Sequence, residues 1–540
     1  MFPMKIFKLI FWFTITTFFT SCGNNFRQNE IKTKFDQTSN FGRFLSTKYF
    51  LKLGDNDIAS KIISKSKNLQ SDLTLAELNF NSYLINGDFE KAKKFKLVAP
   101  PELNNSPMYN LPDFIINLKN EKLINTKNFN FIKNRLPGFN IIFEKINYLK
   151  LIKNNSFKNI VINKKTSNIF QLLIFEDTNI ENQIYLSMPK TNLSIIENIL
   201  FLEYLKRNYP KKFNEEINNF SIRYNYDIKD LKLYFENQKN INKKPNHKFI
   251  FANLFSHLSI ILTSKKNIPN SYLKILNEIS HYLEPSLGNS NYFLAEIYSN
   301  EENFKIALNK LNRIQQNSFI FLYSRIKKYK ILKIIDKKKS DLLLKSIHKK
   351  YPNNQQLLFL IANNYRDQNK CNKAIKIYNK LIKQSDNNYK YNYLKAICLD
   401  KLNKWEDSKK ILVKLISENP NDAYALNYLS YSMAIRNEDL IKAKKLIKKA
   451  LEIEKNNGFF LDTLGWIQFK LNDVDKAVRS LQLAIELEPN NSEIIDHLGD
   501  IYYKIGRNKE AIYEWKRALI GNADDKLKKD IKYKLYKYAQ

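Results

Sequence analysis

The sequence predicts an all-α solenoid of stacked helical hairpins, closed at its C-terminus by one further helix. Three observations carry this expectation. Gly numbers 11 and Pro 14 in 540 residues, against about 7% and 5% in average proteins. Turn-rich sandwiches and α/β folds therefore lack their punctuation. A 34-residue segment recurs in the C-terminal half, and a period of that size marks a repeat architecture. Where the repeat fades, apolar residues still return at helical spacing, as in Ile195–Tyr204 and Phe249–Leu262. An apolar content of 44% supports a large core and excludes disorder. A mean hydropathy of −0.46 excludes a polytopic membrane protein.

The repeat is clearest near the C-terminus. Leu464-Gly465 and Leu498-Gly499 are 34 residues apart. Each Gly is followed by Ala477 or Ala511 and then by Ala484 or Ala518. Leu481 and Trp515 stand between those alanines, and Pro489 closes the first unit. This resembles the tetratricopeptide repeat (TPR), a helix A–turn–helix B unit. In that family small residues allow the two helices to touch, and large ones fill the gap between neighbouring repeats. Pro ends helix B, because it has no N–H and clashes with the preceding turn.

Placing the first small residue at position 8 sets the register of the array. Units then begin at Gly288, Phe321, Gln355, Tyr389, Ala423, Gly458 and Ser492. The unit at Ala423 carries one extra residue, assigned to its inter-helix turn near Arg436-Asn437-Glu438-Asp439. The expected organisation is a signal peptide over 1–21, a polar tether over 22–40 and a repeat pair over 41–101. A degenerate helical region over 102–287, a seven-unit array over 288–523 and a capping helix over 524–540 follow. The pair is marked by Gly54-Asp55 before Ala59 and by Gly87-Asp88 before Ala92. Repeats of this kind stack into a right-handed superhelix in which each contacts mainly its neighbours. In the cap, Leu527, Ile531, Leu535 and Tyr538 share one helical face, with lysines elsewhere.

The N-terminus implies export. Lys5 and Lys8 precede an uncharged apolar run, Leu9 to Phe19. That run is shorter than the roughly 20 residues of a spanning helix and has the layout of a secretory signal. Phe19-Thr20-Ser21-Cys22 resembles a bacterial lipobox, with Phe19 where Leu is usual. The resemblance implies cleavage before Cys22 and lipid on its thiol, which gives durable membrane attachment without a transmembrane helix. Gly23 in place of an Asp implies the outer membrane rather than the inner. The expected location is a periplasm-facing membrane surface.

The formal net charge is +36. Nucleic acid is not the expected partner, because an exported chain meets no genome and the lysines are scattered. No phosphate-binding Gly loop, Gly-x-Ser-x-Gly elbow or zinc-helix spacing occurs, and the five histidines lie apart from any ligand pattern. The chain is read as a non-enzyme without cofactor or metal, with the 102–287 region as the one place a catalytic part could hide. His497 is expected to be packed or at a groove edge. Cys371 and Cys398, on facing helices of adjacent units, are expected as buried free thiols. A disulfide is the alternative that an oxidising compartment permits.

The functional expectation rests on helix A. Its positions 2, 5, 9 and 12 share one face by helical spacing, and the superhelix turns that face inward. The last three units place Tyr424, Asn427 and Tyr431, then Phe459, Asp462, Trp466 and Phe469, then Glu493, Asp496, Asp500 and Tyr503 there. Aromatics among a few polar groups are characteristic of binding hot spots. Carboxylates favour a partner segment with Lys, Arg or a free amine. A neighbouring repeat or the terminal helix covering some of these residues is the competing expectation.

The segments Asn427–Tyr431, Leu461–Trp466, Asp496–Asp500 and Trp515–Leu519 resemble the C-terminal signature of large TPR proteins of alphaproteobacteria and related Gram-negative bacteria. Those proteins often carry secretion or lipoprotein signals. The resemblance implies a scaffold for protein partners, in envelope or outer-membrane complex assembly. A cell-wall enzyme hidden in 102–287 and a basic scaffold lying on anionic lipid are the alternatives.

Overall fold

The computed structural model describes residues 40–538, apart from 53–57, 60, 63–72, 122–128, 155–167, 190–192, 225–227, 238–242 and 385–387. The expected signal peptide, Cys22 and most of the tether lie outside the described residues. Among the described residues the regular elements are 28 α-helices and one short 3-10 turn, with no strand. No described helix is long and apolar enough to cross a membrane. The chain divides into two compact units, Met1–Tyr351 and Pro352–Gln540.

The first unit begins with α1 (Asn40–Lys52), α2 (Leu73–Ile85), α3 (Phe89–Phe95), α4 (Leu111–Lys119), α5 (Asn130–Arg135) and α6 (Phe139–Lys153). It continues through α7 (Ile169–Ile174), α8 (Glu181–Ser187), α9 (Ile195–Asn208), α10 (Pro210–Tyr224), α11 (Ile228–Asn237) and α12 (His247–Thr263). It ends with α13 (Asn270–Leu283), α14 (Gly288–Asn300), α15 (Phe304–Asn312), α16 (Phe321–Ile335) and α17 (Lys337–Lys350). One continuous apolar core runs through it from Ala76 to Ile331. Phe114 sits at its aromatic centre, with ring centroids of Phe129, Phe139 and Phe143 at 5.3–5.9 Å. The regular elements in the described part of 102–287 are all helices, although α5, α7 and α8 are only 6 or 7 residues long.

The second unit holds five helical hairpins. These are α18 (Gln355–Asp367) with α19 (Cys371–Gln384), α20 (Tyr389–Lys401) with α21 (Trp405–Glu418), and α22 (Ala423–Ile435) with α23 (Leu440–Ile453). Then come α24 (Gly458–Lys470) with α25 (Val474–Leu487), and α26 (Ser492–Lys504) with α27 (Asn508–Ile520). A single last helix, α28 (Asp525–Tyr538), packs on α27. Each residue that opens a unit in the sequence register, from Gly288 to Ser492, is the first residue of a helix.

The physical basis of the hairpin is visible at its small residues. Ala362, Ala374, Ala396, Ala443, Ala450, Ala477, Ala484, Ala511 and Ala518 are all fully buried. A Cβ added to Gly465 would lie 2.9 Å from Leu481 Cγ and 3.2 Å from the Ala477 carbonyl oxygen. At Gly499 it would lie 2.6 Å from Trp515 Cδ1. The inter-helix turn is equally regular. Asn369, Asn403, Asn437, Asn472 and Gly506 all have positive φ, between 52° and 81°. They occupy one repeat position, where asparagine and glycine tolerate the left-handed region. The extra residue of the Ala423 unit lies in this turn, where Asp439 has a second positive φ of 38° and caps α23 through Lys442 N–H.

Candidate functional site

The A helices of the second unit are set by asparagine or aspartate caps. Asn354, Asp422, Asn457 and Asn491 each accept backbone N–H bonds from the first turn of α18, α22, α24 and α26. Such caps satisfy donors that a helix start leaves orphaned. They help to fix the start of those four A helices, whereas Asn388 before α20 makes no such bond.

On α22, Tyr424 is exposed, at 55%. Asn427 and Tyr431 are half-buried, and the Asn427 Oδ1 is buried without a hydrogen-bond partner. Burial first, and then the charges of Glu493, Asp462 and Asp400, push the Tyr431 hydroxyl above its ordinary pKa. On α24, Phe459 is exposed, at 51%. Asp462 is buried, while Trp466 and Phe469 are half-buried, with their rings 5.8 Å apart. On α26, Glu493 is exposed, Asp496 is buried, and Asp500 and Tyr503 are half-buried.

Two of the four carboxylates on this face are tied to α28. Lys534 Nζ donates to both oxygens of Asp496, at 2.8 and 2.9 Å, and both of Asp500, at 2.7 and 2.8 Å. The ring of Tyr538 lies 4.3 Å from that of Tyr503 and 6.2 Å from that of Trp515. Trp515 Nε1 also donates to Asp500 Oδ1, at 3.0 Å. The terminal helix thus covers the α26 part of the face, and the α22–α24 part keeps its exposed aromatics. Burial first and then Asp500 raise the Asp496 carboxyl above its usual range, against the pull of Lys534.

Asp462 is held differently. His497 Nδ1 lies 2.8 Å from its Oδ1, and the imidazole stacks on Trp466 at 5.0 Å. Burial alone would depress the imidazolium, but Asp462, with Glu493 and Asp496 behind it, raises it to about 9. His497 is packed against Trp466 and paired with Asp462, one of the two placements expected of its repeat position. Sequence reading did not identify Lys534 as the residue that fills this face. Nor did it identify Asp400 of α20, which accepts from Tyr428 at 3.1 Å and Ser432 at 2.9 Å and pairs with Arg436. A signal was available for Lys534, which is adjacent to the apolar face formed by Ile531, Leu535 and Tyr538.

Elsewhere, Cys371 and Cys398 are free thiols, 2% and 0% exposed, in one core cluster. Burial, and then hydrogen bonding to Cys371, push the Cys398 thiol up to about 12. In the first unit Glu203 lines a cavity of about 110 Å³ with Ile196, Ile199, Leu200 and Phe249. It is the one carboxylate in that lining. Tyr234 donates to it at 3.0 Å, and burial raises its carboxyl to about 7. Glu176 is paired with Arg207 at 2.9 Å in the core. Among the described residues no group of three or more His, Cys, Asp or Glu could hold a metal ion.

Comparisons with known proteins agree with the geometry of the second unit. Residues 356–388 and 460–491 match models of the tetratricopeptide repeat. A TPR repeat-containing protein of Pseudomonas aeruginosa is 29% identical over 115 residues, 21% of this chain and 20% of that protein. The chain thus spans about a fifth of the length of this relative. Among solved structures, a TPR protein of Thermus thermophilus is 21% identical, covering 34% of this chain and 99% of its own, with a TM-score of 0.32. A tetratricopeptide repeat protein of Parabacteroides merdae is 19% identical, covering 40% and 87%, also with a TM-score of 0.32. The chain is an all-α protein that contains tetratricopeptide repeats at residues 356–388 and 460–491.

Proposed function

We propose that this chain is a protein-interaction scaffold that takes a basic partner segment on the A-helix face of its second unit. Repeats of this type bind protein partners, and the choice of face rests on one observation. Tyr424 and Phe459 are solvent-exposed aromatics on the two A helices that also carry Tyr431, Asp462 and Trp466, and the Glu493 carboxylate lies on the next. Large exposed aromatics beside fixed charges cost solvation unless a partner covers them. The carboxylates select a partner with Lys, Arg or a free amine.

The same reading places the chain on a periplasm-facing membrane through lipid on Cys22, with the outer membrane favoured. Its role there is in assembling an envelope complex. The positive start, the short apolar run and the lipobox-like Phe19–Cys22 support this. No catalytic step is assigned to any residue.

A photo-crosslinking residue at position 424 or 459 of the full chain, followed by mass spectrometry on membranes, tests the face. The expected result is a small set of crosslinked peptides rich in Lys or Arg, lost on Trp466→Ala. A crosslink profile that Trp466→Ala leaves unchanged would count against it. Metabolic labelling with an alkyne fatty acid tests the anchor. Cys22→Ser should abolish the label, and a retained label would refute this attachment.

A further inference from the structure

Resting on that reading, the geometry points to α28 as an exchangeable occupant of the binding face. The structure assigns the partner class as a helical segment carrying Lys or Arg with an aromatic residue four positions later, as in Lys534 and Tyr538. Three observations support this. First, Lys534 reaches all four oxygens of Asp496 and Asp500, and these stand one helical turn apart on the face assigned to partners. Their side chains are 8% and 29% exposed. Removing the cation would leave two facing carboxylates in a partly dry site, so the site favours exchange of one cation for another over vacancy.

Second, the apolar seat of α28 is small. Ile531 is its only fully buried side chain, with Leu527, Leu535 and Tyr538 half-buried against the same core. Tyr533 and Tyr536 are 62% and 74% exposed. The helix carries Lys526, Lys528, Lys529, Lys532 and Lys537 besides Lys534. A seat of one buried isoleucine and three half-buried side chains is smaller than the alanine-lined packing inside the hairpins. An isolated helix of 14 residues is also marginal in water, so a detached α28 gains chain entropy.

Third, α28 does not close against the start of α26. A cleft of about 450 Å³ remains there, lined by Asn491, Ser492, Glu493, Asn522 and Asp530. Asn522 fixes the connection, accepting from Ser492 N–H at 3.1 Å and donating its own N–H to the Asn490 carbonyl at 3.2 Å. The helix therefore has a fixed hinge at its N-terminal end and an open flank.

The test uses the full chain and a fluorescein-labelled peptide of residues 525–538, read by fluorescence anisotropy. Lys534→Ala in the chain unseats its own helix and should tighten peptide binding by roughly tenfold or more, the worth of a lost charge-assisted bond. Lys534→Arg should bind as wild type does. The same peptide with alanine at position 534, or a chain with Asp496→Asn and Asp500→Asn, should lose binding. Equal affinity for wild-type and Lys534→Ala chains would overturn the proposal.

Hydrogen exchange on the wild-type chain gives an independent answer if Lys534→Ala impairs folding. Amides of α28 should exchange faster at saturating peptide, and unchanged exchange would overturn the proposal. The two readings fail separately. Peptide binding lost on Trp466→Ala but indifferent to Lys534→Ala would overturn the exchange and leave the face as the partner site. Binding tightened by Lys534→Ala but indifferent to Trp466→Ala would support the exchange and remove the α24 part of the face.

Discussion

His497 and Asp462 form a closed pair across adjacent A helices, with Nδ1 2.8 Å from Oδ1 and side chains only 15% and 11% exposed. The pair links α24 to α26 and backs Trp466. It also makes the second unit pH-sensitive. The imidazole titrates near 6.5 when unfolded and near 9 here, a rise imposed by Asp462, Glu493 and Asp496 against the effect of burial. The folded state therefore binds the extra proton between those values. This stabilisation is complete below about pH 6.5 and is lost as pH rises through about 9.

Unfolding of the second unit should therefore become easier from pH 6.5 to 9.5, by up to about 3 kcal/mol. Trp405, Trp466 and Trp515 lie in this unit, so tryptophan fluorescence in urea follows it. His497→Gln should lower stability at pH 6.5 and flatten the profile. A wild-type midpoint independent of pH over that range would refute the assignment.

The alanine-tight helix contact predicts an order among three substitutions. Gly499→Ala drives a methyl against Trp515 at 2.6 Å and the Ala511 carbonyl oxygen at 3.3 Å. Gly465→Ala meets Leu481 at 2.9 Å. Overpacking of this kind costs about 1–3 kcal/mol, more than the roughly 1 kcal/mol that Gly to Ala gains in a helix. Ser430 occupies the same repeat position, and its buried hydroxyl makes no hydrogen bond. Ser430→Ala should be neutral or stabilise by up to about 1 kcal/mol. Thermal unfolding should rank Ser430→Ala above wild type or level with it, then Gly465→Ala, then Gly499→Ala.

The hairpins were legible because their determinants are local and repeated. A small residue at position 8, alanines at positions 20 and 27 and a turn asparagine recur at fixed spacing, and Ala477, Ala511 and Asn472 can be found by counting. The occupant of the face was less legible. That Lys534 meets Asp496 and Asp500 depends on how α28 folds back, across 38 and 34 residues. One lysine among six on a helix carries no mark of its partner. The 102–287 region resisted for another reason. Its core is built from Phe114, Phe139, Phe143 and Phe255, which contact one another across long separations rather than at one period.

The two core thiols should be inert in the native chain. Cys371 and Cys398 are 2% and 0% exposed, and the Cys398 thiol is pushed up to about 12 by burial and by Cys371. The thiolate is the reactive form. Iodoacetamide at pH 8 should leave both peptides unmodified in the folded protein and alkylate both in urea, as read by tryptic mass spectrometry. Native-state alkylation of Cys398 within minutes would contradict its packing.

Glu203 makes a pH prediction of the same sign for the first unit, over a lower range. Burial among Ile196, Ile199 and Leu200 raises its carboxyl to about 7, despite the Tyr234 hydrogen bond and the charge of Arg207. An unfolded glutamate titrates near 4.3, so the folded state holds the extra proton between about 4.3 and 7. Stability from this group is complete below the unfolded value and falls as pH rises through 7, because ionisation then leaves a poorly solvated charge whose burial outweighs the Tyr234 hydrogen bond. Glu203→Gln keeps the shape and an acceptor for Tyr234 while removing the charge. It should raise the thermal midpoint at pH 8 and leave it nearly unchanged at pH 4.5, as followed by far-UV circular dichroism. An equal shift at both pH values would mean that Glu203 is ionised throughout, with its charge already balanced in the fold.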